Sequence, residues 1–202
     1  MKKWNGSSWV NAVAKKWNGS SWVNATVKKW NGSAWVTVAS SSTANTLNAS
    51  WSSVYRSNNS KRTDLGTKLQ QGQYKGDSTN GINRSLVGFS LSGYVGKDIK
   101  GIRLYLKSTD WYYATGGTVH IGWHNHSSSP STFSHSKYSG VQGSFSAKVQ
   151  EKWITMPQAF VDGVKNGTIK GISIYYNSAD WHGYGRFHAH NGAYPPKLEI
   201  TY

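Results

Sequence analysis

A chain of 202 residues without cysteine forms no disulfide and no thiolate metal site, and without a run of about 18 apolar residues it offers no membrane-spanning helix. Its 23 Lys and Arg outweigh 8 Asp and Glu, a formal charge of +15. That balance suits polyanions such as nucleic acid, anionic lipid or wall polymers of the teichoic acid kind, and it equally serves to keep strand edges from pairing. Only 15 % of residues are charged, while Gly, Ser, Asn, Trp and Tyr abound, as in proteins of short strands and tight turns. The opening Lys2-Lys3-Trp4-Asn5-Gly6-Ser7 is not the apolar stretch of a secretory leader. The expectation is a protein that stays in the cell that makes it or leaves on lysis.

The first element is a phrase said three times: KKWNGSSWV at Lys2 and at Lys15, and KKWNGSAWV at Lys28, a period of 13 residues. The first acidic residue is Asp64, so the repeats carry positive charge alone. Asn5-Gly6, Asn18-Gly19 and Asn31-Gly32 between apolar flanks predict hairpins with type I′ turns, which require positive φ at both central residues. Each turn is bracketed by two tryptophans: Trp4 and Trp9, Trp17 and Trp22, Trp30 and Trp35. With a four-residue loop each Trp faces its partner across the hairpin, a contact worth roughly 0.2–1 kcal/mol. SWVNAVAKKW between turns is compatible with a long meander or, with a second turn at Asn11-Ala12 and Asn24-Ala25, with stacked short hairpins. An isolated hairpin is marginal in water. Six exposed indoles call for burial against copies of the same segment about a symmetry axis, and a trimer is expected.

These Trp-Asn-Gly-Ser-x-Trp units resemble those of tail and other appendage proteins of bacteriophages that infect Gram-positive bacteria. The resemblance covers residues 1–39. It implies a virion location with assembly in the host cytoplasm, in keeping with the missing leader. The array begins abruptly at Met1, as the end of a longer protein would.

VASSSTANTLNAS (Val38 to Ser50) is small and polar and reads as a linker or neck. Beyond it, alternation predicts strands in RSLVGFSLSGY (Arg84 to Tyr94, with Val87, Phe89 and Leu91 on one face) and in KGIRLYLKS (Lys100 to Ser108, with Ile102, Leu104 and Leu106 inward). TVHIGWHNH, EKWITM, KGISIYYNS, GRFHAH and PKLEITY follow as further strands. PQAFVDGVKNG predicts one helix, with Pro157 in its first turn and Asn166-Gly167 ending it. Many short strands and a single helix predict a β-sandwich, in particular a jelly roll.

NRSLVGFSLSGYVGKDIKGIRLYL, then KWITMPQAFVDGVKNGTIKGISIYY, then PPKLEITY resemble in order the DNRLRE-type carbohydrate-binding jelly roll, over roughly residues 48–202. The resemblance implies a sandwich scaffold with a carbohydrate ligand. The family's name motif is represented only by Asn83-Arg84-Ser85-Leu86.

Two segments echo each other. YLKSTDWYY (Tyr105 to Tyr113) and YYNSADWHGY (Tyr175 to Tyr184) both close a strand with Ser-x-Asp-Trp. An indole face takes the C–H face of a sugar, and a carboxylate beside it accepts hydroxyl hydrogen bonds. Asp110, Trp111, Asp180 and Trp181 are therefore candidate glycan-binding residues, with Tyr112, Tyr113, His182, Tyr184 and Arg186 extending the surface; the competing reading makes both Trp caps of the core. His-x-His at His124/His126 and His188/His190 places each pair on one strand face, and His120 shares the first, which suggests a divalent metal site.

Catalysis has little support. Glycoside hydrolysis usually needs two carboxylates about 5–9.5 Å apart, and Asp110 and Asp180 are the sole pair in matching context. No Gly-x-Ser-x-Gly occurs, and no nucleic-acid module motif accompanies the charge. The expected protein is all-β: a hairpin-repeat shaft at residues 1–39, intertwined as a trimer; a linker at 40–50; and a β-sandwich head at 51–202. The expected function is a virion appendage of the tail-fibre or receptor-binding type whose head takes host cell-surface glycan, an anionic wall polymer included. No enzymatic activity and no cofactor are expected, a divalent metal ion at the histidines being the one candidate. The expected partners are sister subunits, other virion proteins and wall glycan, rather than membrane or nucleic acid. The alternatives are a purely structural virion fibre and a polysaccharide depolymerase.

Overall fold

The computed structural model of the protein describes residues 2–37, 42–76 and 79–202. The chain divides into two compact units, residues 1–43 and 44–202.

The first unit is a run of short hairpins, which decides between the two arrangements left open by the sequence. β1 (Lys2–Trp4) pairs with β2 (Trp9–Asn11), β3 (Lys15–Trp17) with β4 (Trp22–Asn24), and β5 (Lys28–Trp30) with β6 (Trp35–Thr37). Each closes on a directly opposed Trp pair with ring centroids 5.7–5.8 Å apart, set edge to face. The turn differs from the expected type I′. Positive φ occurs at Gly6, Gly19 and Gly32, at 104–105°, but not at the preceding Asn. The Asn side chain shapes the loop instead: Asn5 Oδ1 accepts from the backbone N–H of Ser7 at 3.0 Å and of Ser8 at 2.9 Å, and Asn18 and Asn31 repeat this. All six indoles are 54–65 % exposed within one chain. Among the described residues the segments between hairpins are tied by Ala25 N–H donating to Ala14 O at 2.8 Å.

The second unit begins earlier than the small, polar composition of residues 40–50 predicts. β7 (Ala44–Asn48) lies inside the stretch expected as linker and pairs with the last strand, so the boundary falls near residue 43 rather than 50; Ser40 and Ser41 of that linker lie outside the described residues. The order continues with β8 (Trp51–Tyr55), β9 (Lys61–Arg62), β10 (Lys68–Gln71), β11 (Arg84–Gly88) and the long β12 (Gly101–Trp111). Then come β13 (Gly117–His124), β14 (Lys137–Phe145), β15 (Glu151–Thr155), α1 (Gln158–Lys165), β16 (Gly171–Tyr175), β17 (Gly185–His188) and β18 (Lys197–Thr201). Two antiparallel sheets form, ordered β10-β17-β12-β18-β7, with β15 also on β12, and β14-β13-β16-β11-β8-β9. The fold is an all-β sandwich with one α-helix among the described residues.

One core joins the two sheets. Ile102, Leu104, Leu106, Leu198 and Phe187 of the first pack with Val87, Val119, Ile121, Ile172 and Ile174 of the second. α1 starts after Pro157, in extended conformation, and ends before Gly167 at φ 73°; it presents Phe160, Val161 and Val164 to the same core.

The opposite face of the second sheet is covered by residues 125–136, a Ser-rich stretch with no strand signal. Phe133 packs edge-on to Tyr55 and Tyr175. Tyr55 donates to Pro130 O at 2.8 Å, the hydroxyls of Ser53 and Ser129 meet at 2.6 Å, and Trp51 Nε1 donates to Ser127 O at 3.2 Å. This cover is why His124, on the face turned away from the main core, is nonetheless fully buried.

Candidate functional site

The site is built where β12 ends, where β13 begins, and in the loop between β16 and β17. A β-bulge decides which side chains reach it. In β12, Ile102, Leu104 and Leu106 face the core, and strict alternation would turn Trp111 outward with Arg103, Tyr105 and Lys107. The pairing with β17 slips between Ser108 and Asp110: Ser108 opposes Phe187, whereas Asp110 opposes Arg186 and Trp111 opposes Gly185. Thr109 is the extra residue, and every side chain after it changes face.

Trp111 consequently points inward and is 1 % exposed, its ring 5.5 Å from Phe145 and 5.4 Å from Phe187. Gly117 and Gly185 make room for it; a Cβ at either would lie 2.5–2.6 Å from the indole. Its assignment as a glycan-binding residue is thus corrected: it is core. Tyr184 is corrected likewise, at 1 % exposure, and forms the floor beneath Tyr74 at 5.1 Å and the Arg186 guanidinium at 5.5 Å. Burial holds its phenol above the usual tyrosine range, with Arg186 opposing.

The second Ser-x-Asp-Trp meets a different fate. Asp180 caps a short 3₁₀ turn (Trp181–Gly183), accepting from His182 N–H at 3.0 Å and pairing with the His182 ring. That backbone hydrogen bond, with the ring's help, keeps the Asp180 carboxyl below its ordinary range. The turn leaves Trp181 38 % exposed. His182 stacks flat on Tyr113, with centroids 5.4 Å apart and planes within 6°, and takes Tyr112 edge-on at 4.9 Å. Tyr113 is 49 % exposed. The result is an open aromatic group of Tyr112, Tyr113, Trp181 and His182, with Asp180 beside it. Asp110 lies on the neighbouring strand end, 3.1 Å from Lys148 Nζ.

Three further residues outside the Ser-x-Asp-Trp segments contribute to the site. Lys75 Nζ sits 5.7 Å from the Trp181 ring, and Tyr74 stacks under Arg186. Gln71, fully buried, donates to Thr118 O at 2.8 Å and Gly183 O at 3.0 Å while accepting from His120 N–H, so it fastens the Trp181 turn to β13. Tyr74-Lys75 beyond β10 was a basic-aromatic pair in plain view, but nothing local says that β10 lies against β17.

The four candidate metal ligands do not assemble. β13 ends at His124 and β17 at His188, so His126 and His190 lie beyond their strands and the shared-face rule does not reach them. His124 Nδ1 accepts from His126 N–H, which leaves Nε2 protonated and donating to Val87 O at 3.1 Å, so both nitrogens are committed. Burial, then the neighbouring His126, drives its pKa down to about 4. His126 Nε2 meets Ser134, His190 Nδ1 meets Ser52 at 2.9 Å, and His188 lies edge-on to Tyr194. Among the described residues no three His, Asp or Glu side chains gather to hold a metal ion. The structural roles of these histidines replace the metal reading.

Set against known proteins, no family model matches this chain, and no curated protein matches its sequence.

Proposed function

We propose that this protein is a virion appendage of the tail-fibre, receptor-binding type, whose C-terminal domain binds host cell-surface glycan at the Tyr112–Tyr113–Trp181–His182 group. The observation that carries the glycan reading is the exposed, pre-stacked set of rings on loops held by Gln71, flanked by the Asp180 carboxylate and the Lys75 ammonium. Flat apolar faces beside polar groups suit a sugar ring, and rings already stacked lose little entropy on binding. The repeats support the appendage reading: six indoles exposed in one chain are available for burial between sister copies, with a trimer favoured. Several heads on one particle raise avidity by about 10²–10⁴ without a strong single site. The binding reading is preferred to a depolymerase because Asp180, held ionised by its cap, is a poor general acid and Asp110 is paired with Lys148.

The test is sedimentation with purified Gram-positive cell walls, with the mass of the soluble protein read by light scattering. Tyr113→Ala with Trp181→Ala should weaken wall binding at least tenfold, equal to about 1.4 kcal/mol, and leave the melting temperature unchanged. Undiminished binding removes the site, release of reducing sugar points to the enzyme, and a stable soluble monomer removes the oligomeric shaft.

A further inference from the structure

Away from the aromatic group, the C-terminal domain carries a cleft of about 310 Å³ between the segment that follows β11 and the end of α1. Its floor is apolar and belongs to the core: Phe89, Leu91, Val164 and Ile169. Its walls are tied by backbone hydrogen bonds. Phe89 N–H donates to Lys170 O at 3.0 Å, Gly96 N–H to Lys165 O at 2.9 Å, and Ser50 N–H to Gly88 O at 2.9 Å. The cleft is therefore formed before any ligand arrives.

The rim has one chemical character. Four serines, Ser50, Ser90, Ser92 and Ser127, bring hydroxyls, and Lys170 brings the charge; no carboxylate is among the residues lining the cleft. Lys170 Nζ donates to Ser127 Oγ at 2.7 Å, which fixes the ammonium at the rim and uses one of its three N–H donors. A volume near the lower bound of ordinary ligand sites admits a unit of one or two rings and excludes a folded partner. An apolar floor takes the C–H face of a sugar or polyol. The hydroxyl rim takes its oxygens, and an unopposed cation takes a negative substituent.

We infer that this cleft is a second ligand site, specific for a single anionic sugar or polyol unit, a carboxylate or phosphate ester held by Lys170 over the Phe89–Ile169 floor. The inference goes beyond the glycan reading of the aromatic group and shares no residue with it. A protein with both sites would read two features of an anionic polymer, a neutral ring face and a charged substituent.

The test is NMR titration of the whole chain with glucuronate, glycerol 1-phosphate and glucose as separate probes. Expected are saturable shifts at Phe89, Ile169 and Lys170 with one or both anions, and at least tenfold weaker binding of glucose. Which anion binds more tightly distinguishes carboxylate from phosphate as the natural substituent. Lys170→Gln should bring the anions down to the level of glucose, and Ser92→Trp, which fills the exposed rim and leaves the floor intact, should abolish all three. Trp181→Ala should change none of them, so failure at the aromatic group and failure here are told apart. No saturable shift with any probe, glucose binding equal to the anions, or unchanged anion affinity in Lys170→Gln each overturns the inference.

Discussion

Trp111→Ala will destabilise the C-terminal domain by about 3–5 kcal/mol, the range for truncating a buried Trp. In a domain of this size that is a fall in melting temperature of about 6–20 °C. The indole fills the space between Phe145 and Phe187, and the two glycines that admit it, Gly117 and Gly185, lie on strands that cannot close over the cavity without breaking their pairing. Trp111→Phe keeps most of the volume and removes an indole N–H that has no acceptor among the described residues, so it should cost far less. Differential scanning calorimetry of the three proteins checks this. Any loss of wall binding in Trp111→Ala should track unfolding and vanish when binding is read well below the new melting point. A Trp111→Ala protein that melts like the parent but no longer binds walls would restore Trp111 to the surface and contradict the bulge.

Acid should destabilise the same domain over a defined window. His124 is neutral in the folded state down to about pH 4, because burial and the neighbouring His126 penalise its charged form, whereas the unfolded chain protonates it near 6.5. Between those values the unfolded state binds the extra proton, so stability falls as pH falls. At 1.36 kcal/mol for each pH step, His124 alone removes about 3 kcal/mol between pH 6.5 and 4. His120, His135 and His188, all lowered chiefly by burial, act in the same direction. The depressed carboxyls work elsewhere: Asp64, held down to about 2 by the Arg62 hydrogen bond, contributes stability that is lost only below pH 3.8. Urea midpoints should therefore stay nearly level from pH 7.5 to about 6.5 and fall from there to 4.5, and His124→Gln, which keeps a donor for Val87 O, should flatten the slope. A parent protein equally stable at pH 7 and 4.5 would place His124 in water, and the Ser-rich cover of residues 125–136 with it.

Much of the fold was legible because it is local. Asn-Gly between tryptophans specified each hairpin and its Trp-to-Trp register. Alternation put Ile102, Leu104 and Leu106 inside, and Pro157 and Gly167 bracketed the helix. The misses have physical causes. β14 reads as loop because Gly140 and Gly143 interrupt it, yet these residues are small so that Trp123 and Ile154 can lie against the strand. Ala44–Asn48 reads as linker because an edge strand on a sandwich has little apolar content of its own; it is recruited by β18, more than 140 residues away.

The two Ser-x-Asp-Trp segments mark the boundary between what the residues settle alone and what they leave to the fold. By itself the sequence determined an all-β chain, a repeat of paired indoles without acidic residues, and an Asp-Trp pair at the end of one strand and a few residues beyond another, since these follow from periodicity and turn chemistry within about ten residues. Only the tertiary structure decided that one extra residue against β17 sends Trp111 into the core, while a capped turn holds Trp181 in solvent. It alone decided too that His124, His126 and His190 are spent on backbone and serine partners and that His188 lies against Tyr194. Which face a side chain takes after a bulge depends on the partner strand's register, and the partner lies far along the chain.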